Sequence, residues 1–358
     1  MALHVRGTVL PDGEMRDLWL VGDRITLEPV SGADTISDGG YILPGLVDAH
    51  CHLGIAPGGR PITALDQARE LAAADRDTGV LALRDAGSPY PYPELDDEPS
   101  VPRLARAGRH VAAPKRYLRD VGVEVDAAEV APTVTEQAKA GTGWVKLVGD
   151  WIDRSVGDLA PSWDPATMAA AVRAAHDAGA RAAVHTFSEE AVAVMVRAGV
   201  DSVEHGTGLS LDLIDEMARR GTALVPTMIN IGTFGDIAER ARARFPGYAD
   251  HMLALRDTFP SVVRAAHEAG VPIYVGTDAG GGIRHGQIAE EILLLHEAGI
   301  PAPDVLAAAS WRARAWLGFP GLVEGGLADL VVYPEDPRGD LAVIRHPARM
   351  VLRGRVIR

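Results

Sequence analysis

Short apolar runs alternate with longer alanine-rich runs between about residue 44 and residue 320. The short runs have the length and the β-branched content of buried strands, and the longer runs have the character of helices. Such alternation is typical of an α/β protein with repeated strand and helix units. The pattern predicts eight strands, at residues 46–52, 80–85, 110–114, 144–148, 181–186, 202–205, 223–227 and 272–277.

Three of the helical runs end on the same signal, a histidine followed three residues later by a glycine. The sequences are HDAG at 176–179, HEAG at 267–270 and HEAG at 296–299. Glycine readily adopts the left-handed conformation that closes many helices. We therefore predict helix ends at these glycines, and the first two lead directly into predicted strands.

Eight strands and their helices over about 275 residues match the length and the strand–helix alternation of a (β/α)8 TIM barrel. A doubly wound open sheet is the alternative, but no Gly-x-Gly-x-x-Gly turn follows the first strand. We therefore predict a barrel domain over residues 44–324.

The two ends of the chain have a different pattern. Residues 1–43 and 325–358 consist of short alternating runs separated by turn residues. Neither end has enough strands to be stable by itself. We predict that both form antiparallel strands that meet in a small β-sandwich domain beside the barrel.

Charge and cysteine content narrow the class of partner. The 35 basic and 49 acidic residues give a net charge of −14, which argues against a nucleic acid or an anionic membrane as partner. One cysteine excludes an internal disulfide framework and fits a reducing compartment. Without a secretory signal or a long apolar run, we expect a cytoplasmic protein with a small-molecule substrate, as a monomer or a homo-oligomer.

The first predicted strand contains the sequence VDAHCHLG at 47–54. Alternate side chains of a strand face the same way, so His50 and His52 are predicted to project together and Ala49 and Cys51 to the other face. Two neutral imidazoles at this spacing can hold one divalent ion. The alternative, to which we give equal weight, is a pair of partly exposed loop histidines without a metal.

Further residues with metal-ligand chemistry follow other predicted strands. His185 and His205 close the fifth and sixth strands, and Asp278 follows the eighth. In a barrel, the carboxyl ends of all the strands open onto one face. Four histidines and a carboxylate at that face indicate a metal site better than they indicate scattered loop residues.

Lys146 lies inside the apolar run WVKLV of the fourth strand. Burying a charged lysine is costly, so the side chain must reach water, pair with an anion, or lose its charge. A lysine carboxylated by CO₂ is an anion whose two oxygens can bridge two metal ions. A lysine at a strand edge with its ammonium in water is the alternative.

The chain resembles the amidohydrolase superfamily over nearly its whole length. The resemblance rests on LPGLVDAHCHLG, the lysine of WVKLV, VHT and SVEHG with their histidines twenty positions apart, VGTDAG, and GLADLVVY. It implies two Zn²⁺ or other divalent ions bridged by N6-carboxylated Lys146. The implied ligands are His50, His52, Lys146, His185, His205 and Asp278.

Within that superfamily, SVEHGTGL and GTDAGGGIRHG are most similar to the prolidase-like and imidazolonepropionase-like members. The strand-four lysine favours the binuclear, prolidase-like members. The implied activity is hydrolysis of an amide, short-peptide or cyclic-amide C–N bond by a metal-bridged hydroxide, with Asp278 as general base and acid. A mononuclear deaminase or imidazolonepropionase-type hydrolase is the alternative, and a catalytically silent barrel is a third.

Substrate contacts are expected from four residues near the same face. Arg84 ends the second strand, Arg116 and Tyr117 follow the third, and His285 begins the helix after the eighth. An arginine there could receive a carboxylate, and a structural salt bridge is the alternative.

One departure from the similar peptidases follows the seventh strand, where they tend to place an aromatic residue and this chain reads PTMINI. This difference argues against a dipeptide substrate. The segment 230–259 that follows has an amphipathic helical pattern interrupted by FPGY at 245–248. We interpret it as a lid or specificity element, with a contact between copies as the alternative.

Overall fold

A computed structural model describes residues 2–90 and 92–358. The fold is a mixed α/β fold with parallel sheets in its central part. Within the described residues, no helix combines the length and the apolar character needed to cross a membrane.

The central strands carry the predicted alternation with helices. They are β5 (Leu46–Cys51), β6 (Ile55–Ala56), β7 (Arg60–Pro61), β8 (Val80–Asp85), β9 (Arg103–Arg106), β10 (Val111–Ala112), β11 (Val123–Glu124), β12 (Trp144–Val148), β13 (Asp150–Asp153), β14 (Asp158–Pro161), β15 (Arg181–Thr186), β16 (Ser202–His205) and β17 (Ala223–Val225). Four predicted strands, β8, β12, β15 and β16, have their predicted bounds.

The helices of the described chain lie mostly between these strands. They are α1 (Leu65–Arg76), α2 (Val130–Ala140), α3 (Pro165–Asp177), α4 (Glu189–Ala198), α5 (Leu211–Arg220), α6 (Met228–Ile231), α7 (Phe234–Arg242), α8 (Pro246–Glu268), α9 (Ile288–Glu297), α10 (Ala302–Ala309) and α11 (Trp311–Trp316). Short 3₁₀ turns occupy Pro93–Leu95, Ala127–Glu129 and Leu341–Arg345.

The predicted helix ends are confirmed. Gly179, Gly270 and Gly299 follow α3, α8 and α9 and have φ angles of 76°, 82° and 108°. These are left-handed conformations that glycine adopts without a Cβ clash. The predicted break at 245–248 is also present, because α7 ends at Arg242 and α8 begins at Pro246.

The parallel strands form one six-stranded sheet, in the order β11-β10-β12-β15-β16-β17, and one three-stranded sheet, β5-β8-β9. An isolated parallel bridge joins Ala107, just after β9, to Trp144 of β12. The third strand therefore differs from its prediction at 110–114, since an additional strand, β9, precedes it and pairs with β8.

The predicted eighth strand at 272–277 is wrong as a continuous strand. This extended segment bonds to each neighbour at separate points, with bridges from Ile273 to Leu224 and from Ala279 to Cys51. Pro272 has no N–H to donate, and Asp278 has a left-handed φ of 58°. Both features interrupt a regular hydrogen-bond ladder.

The two ends of the chain meet in a single seven-stranded sheet, as their predicted pairing requires. Its order is β20-β19-β18-β4-β1-β2-β3, with β1 (Leu3–Val9), β2 (Glu14–Val21), β3 (Arg24–Thr26), β4 (Asp34–Pro44), β18 (Leu330–Tyr333), β19 (Arg349–Leu352) and β20 (Arg355–Val356). The antiparallel prediction is wrong for one pair, because β1 and β4 are parallel. The β2–β3 hairpin lies between β1 and β4 in sequence and returns the chain to the end of the sheet at which β1 begins. A two-layered sandwich stays a prediction.

Candidate metal centre

All six predicted ligands line one cavity of about 350 Å³. They come from the ends of β5, β15 and β16, from the middle of β12, and from the extended segment after Gly276. They are His50, His52, Lys146, His185, His205 and Asp278.

The ligand atoms of three residues converge on one point. The Nε2 atoms of His50 and His52 are 3.3 Å apart, and they lie 3.1 and 3.0 Å from Asp278 Oδ1. These three atoms form a group close enough to share one metal ion. Both imidazoles are almost completely buried.

The partners of the Nδ1 atoms of His50 and His52 indicate which ring nitrogens carry protons. His52 Nδ1 donates to the carbonyl oxygen of Gly87 at 2.8 Å, because a carbonyl can only accept. His50 Nδ1 lies 2.6 Å from a carboxylate oxygen of Glu204. In their neutral forms both rings therefore turn an unprotonated Nε2 toward each other and toward Asp278.

Three acceptor atoms at this separation repel one another unless a cation lies between them. Burial acts to raise the pKa of Asp278, but protonated His50 and His52, or a metal cation in the place of their protons, would hold it well below its usual range and keep the side chain a carboxylate. Burial, together with Lys146, lowers the pKa of His50 and favours the neutral ring. The donor set therefore fits a divalent metal ion, which requires neutral imidazoles and an ionised carboxylate.

A second imidazole pair lies beside the first. His205 Nε2 is 2.9 Å from His185 Nδ1, and the rings of His50 and His205 are 5.2 Å apart between centroids. His205 Nδ1 is 2.7 Å from Thr227 Oγ1. Burial lowers the pKa of His205 to about 3 and that of His185 well below its ordinary value, so both rings are neutral ligand candidates.

Three residues around this centre have strained backbones. His205, Thr227 and Asp278 have φ angles of 67°, 50° and 58°. The left-handed region is uncommon for residues other than glycine and is an outlier for β-branched threonine. Such strain costs on the order of 1–3 kcal/mol per residue and clusters at functional sites. His205 and Thr227 end the predicted sixth and seventh strands, and Asp278 directly follows the predicted eighth strand.

Lys146 is buried in the interior. Its side chain is 1% exposed, and its Nζ has no hydrogen-bond partner. Burial lowers the pKa of Lys146 to about 8, while Glu204 acts in the opposite direction. The alternative, a strand-edge lysine with its ammonium in water, is therefore wrong, and the amine faces the cavity without a direct partner.

Glu204 is a site residue that the sequence pattern did not single out. It is completely buried and accepts from Arg84 Nη2 and from Ser202 Oγ, both at 2.6 Å. Burial acts to raise the pKa of Glu204, but Arg84, Lys146 and His50 hold it well below its usual range. A charge inside a short apolar strand was the same signal that identified Lys146.

Arg84 is not among the residues lining the cavity. Besides its ion pair with Glu204, it donates from Nε to the Ala49 carbonyl at 2.5 Å, and it lies over the ring of Trp144. The side chain is 1% exposed. This placement favours the structural alternative over the substrate contact.

Of the other three predicted substrate contacts, one lines the cavity and two pair with residues elsewhere. Tyr117 lines the cavity, whereas Arg116 donates to Asp153 at 2.7 Å and to the Ala160 carbonyl at 2.6 Å. His285 Nδ1 lies 2.7 Å from Asp75 of α1, and its side chain is outside the cavity lining. Burial opposes its charge, but Asp75 raises the pKa of His285 above its ordinary value. Of the four, the structure brings Tyr117 to the metal ligands.

The strict alternation predicted for β5 fails in one place. Asp48 pairs with Leu83 and Cys51 with Asp85, so three steps along β5 match two along β8. This bulge leaves Ala49 in the interior cluster around Trp144. Cys51 instead packs in the main hydrophobic core, completely buried.

Replacing Cys51 with alanine is expected to leave the metal content unchanged. The thiol contacts the Arg84 carbonyl oxygen at 3.8 Å, packs in the main hydrophobic core and is outside the cavity lining. The small cavity should lower the free energy of unfolding by about 1 kcal/mol. Metal analysis and thermal unfolding check both parts, with His52→Ala as the comparison that should lose metal. Loss of metal from a folded Cys51→Ala protein would contradict this prediction.

The comparisons with known proteins agree with this site. A model of the amidohydrolase family matches residues 41–357. The uncharacterized protein Rv2915c of Mycobacterium tuberculosis is 52% identical over 354 residues, which are 99% of this chain and 95% of that protein. Among solved structures, a Xaa-Pro dipeptidase with bound methionine is similar with a TM-score of 0.82, at 24% identity and 99% coverage of both chains.

A second similar structure is a prolidase complexed with N-methylphosphonate-L-proline. It has a TM-score of 0.83 and 20% identity, and it covers 100% of both chains. Fold, site and family match together define a metal-dependent hydrolase that acts on C–N bonds. Within that class, the chain belongs to the amidohydrolase family, whose members generally bind divalent metals.

Proposed function

We propose that this chain is a binuclear zinc hydrolase that cleaves the C–N bond of an amide, a short peptide or a cyclic amide. The observation that carries the proposal is the convergence of His50 Nε2, His52 Nε2 and Asp278 Oδ1, three potential ligand atoms close enough to share one metal ion. The unpaired buried amine of Lys146 in the same cavity supports the binuclear form.

Each ligand has a definite place in the proposal. His50, His52 and Asp278 would hold one metal, His185 and His205 the second, and carboxylated Lys146 both. Metal ions held there would activate a water molecule and polarise the scissile carbonyl. The Asp278 carboxylate would accept a proton from the attacking water and return it to the departing nitrogen.

Buried partners orient these ligands. The Gly87 carbonyl accepts from His52 Nδ1, and a Glu204 carboxylate oxygen lies 2.6 Å from His50 Nδ1, so that both Nε2 atoms point inward. Such outer partners determine the tautomer and orientation of a metal-binding histidine. Arg84 keeps Glu204 ionised from the other side.

We further propose that the parallel segments form a (β/α)8 barrel over residues 44–324, with the small domain at 1–43 and 325–358. Support comes from the bridges that join β9 to β12, and the 272–279 segment to both β17 and β5. The similar solved structures support the same architecture. In that architecture the ligands lie at the carboxyl ends of the strands.

The similar structures are named for hydrolysis of bonds to proline, which supports a C–N bond as the target. A mononuclear deaminase or imidazolonepropionase-type hydrolase is the second candidate. It is favoured by one observation, the compactness of the His50, His52 and Asp278 group, which could hold a single ion without Lys146.

Removal of metal is expected to abolish hydrolysis. Protein prepared with zinc and bicarbonate should contain about two zinc ions per chain and cleave members of a panel of 4-nitroanilides, dipeptides and N-acyl amino acids. A chelator should eliminate the activity and lower the unfolding temperature, because a metal that binds only the folded state stabilises it. Zinc with bicarbonate should restore both. Full activity of metal-free protein would contradict the proposal, and one ion per active chain would favour the mononuclear candidate.

A further inference from the structure

The wall of the cavity beyond the ligands is apolar and aromatic. The β13–β14 hairpin contributes Trp151 and Leu159, and the helices after β17 contribute Phe234, Ile237 and Met252. Phe187 covers the ring of His185 with centroids 4.4 Å apart. A substrate that fills the cavity must therefore bring much of its surface into contact with apolar side chains.

Charged groups are scarce in this cavity. In the described part of the chain, Lys146 is the one lysine or arginine among its lining residues, and Asp278 is the one carboxylate. Both belong to the proposed metal centre. Outside that centre, the polar side-chain groups are the amide of Asn230, the hydroxyls of Tyr117 and Tyr248, and the indole N–H of Trp151. An ionised substrate group that points away from the metal centre would therefore have no opposite charge to receive it.

The two nearby arginines are already engaged. Arg84 is buried against Glu204 on the interior side of the ligands. Arg116 donates to Asp153 and to three backbone carbonyls of the β13–β14 hairpin, including that of Trp151 at 3.1 Å. Arg116 therefore stabilises the apolar wall and offers no guanidinium to a substrate carboxylate.

The helical segment beside the cavity is also held by a buried carboxyl group. Glu291 of α9 accepts the backbone N–H groups of Met228 and Ile229, both at 2.8 Å. These bonds position α6, from which Asn230 faces the cavity. The segment 230–259, interpreted from its sequence as a lid or specificity element, thus contributes to a defined wall.

Cations lie outside this wall. Lys115, Arg119 and Arg154 are exposed and, together with Glu124, line a neighbouring groove that shares Tyr117 and Trp151 with the cavity. A negative charge on a substrate would meet protein cations in that groove and not against the apolar wall.

We propose that the substrate is an amide whose group inside the cavity is bulky, apolar and uncharged. This inference rests on the proposed function and specifies its substrate class. Against the apolar wall, away from the proposed metal centre, an ionised carboxylate would lose its hydration without gaining a cation, whereas an apolar group gains burial. A free dipeptide with its carboxylate in the cavity is disfavoured for the same reason.

The test uses two 4-nitroanilides of nearly identical shape, with 4-methylpentanoyl and succinyl groups on the nitrogen. They differ in that two methyl groups of the first are replaced by the carboxylate oxygens of the second. With zinc-loaded protein, kcat/KM for the apolar member is expected to be at least about tenfold higher, a typical discrimination for an unmatched polar group. Release of 4-nitroaniline is measured by absorbance.

A charge placed in the wall should change this preference. Ile237 is a partly buried cavity residue on α7, so Ile237→Arg supplies the missing cation. The ratio of the two kcat/KM values is expected to shift toward the succinyl member by about tenfold. Leu211→Arg, at a side chain that is 69% exposed on α5, is the matched control and should leave the ratio unchanged.

Binding measured by calorimetry separates this inference from the proposed function. Tighter binding of the apolar member without cleavage of either would support the cavity chemistry and contradict amide hydrolysis. Cleavage with equal preference, or with preference for the succinyl member, would overturn the inference and leave the hydrolase intact. Failure of both members to bind the zinc-loaded protein would also overturn it.

Discussion

Replacing Asp278 with asparagine is expected to reduce kcat by about 10²–10⁴-fold, the contribution of a positioned general acid and base. Asparagine keeps the shape of the side chain, but its amide cannot accept and return a proton. It also removes the anion that lies 3.1 and 3.0 Å from the two Nε2 atoms of β5. The rate on the best amide of the panel and the metal content measure the two effects separately.

The matched control is Asp304→Asn, a carboxylate that pairs with His267 and Arg312 away from the cavity. It should keep the activity of the parent protein. If Asp278→Asn retained metal and more than about a tenth of the parent kcat, Asp278 would be a ligand without the proton-transfer role given by general acid and base catalysis.

Lys146→Ala is expected to lower the zinc content from about two ions to about one, because a bridging ligand of a two-metal site is lost. Hydrolysis should fall by more than about 100-fold, since even outer partners of metal ligands contribute 10–100-fold. The cavity left by the side chain should admit a small carboxylate in place of the carbamate. Added acetate is therefore expected to restore part of the activity and the second zinc ion.

Lys146→Arg tests the role of charge in the same position. A guanidinium keeps the positive charge but cannot be carboxylated, and it fills the space that acetate needs. We expect low activity that acetate does not restore. Undiminished activity of Lys146→Ala with one zinc ion would favour the mononuclear hydrolase, and equal acetate rescue of both variants would contradict carboxylation.

The candidate ligands could be predicted because their chemistry is local. A histidine or aspartate that directly follows an apolar run lies at a strand end whatever the details of packing. Lys146 was recognisable because a charge is costly inside a buried strand. The same reasoning applies to Glu204 and Arg84, each in a short apolar run of its own, and would have indicated the ion pair that the structure contains.

Other features depended on pairing between distant segments. The bulge in β5 arises from its register with β8 and places Ala49 beside Trp144, against simple alternation. The additional strand β9 and the parallel pairing of β1 with β4 also depend on which neighbour a strand meets. Strand pairing is non-local, so periodicity along one strand does not determine it.

The sequence by itself determined the α/β alternation, the helix ends at 179, 270 and 299, and the residue types available to a metal. Only the tertiary structure decided where the long polar side chains point. A buried or half-buried partner in a distant segment pairs with each of Arg84, Arg116 and His285. The side chain of Tyr117 instead lines the cavity with the predicted ligands. The physical reason is that a buried polar group must be paired, and which partner lies within reach depends on how segments far apart in sequence pack together.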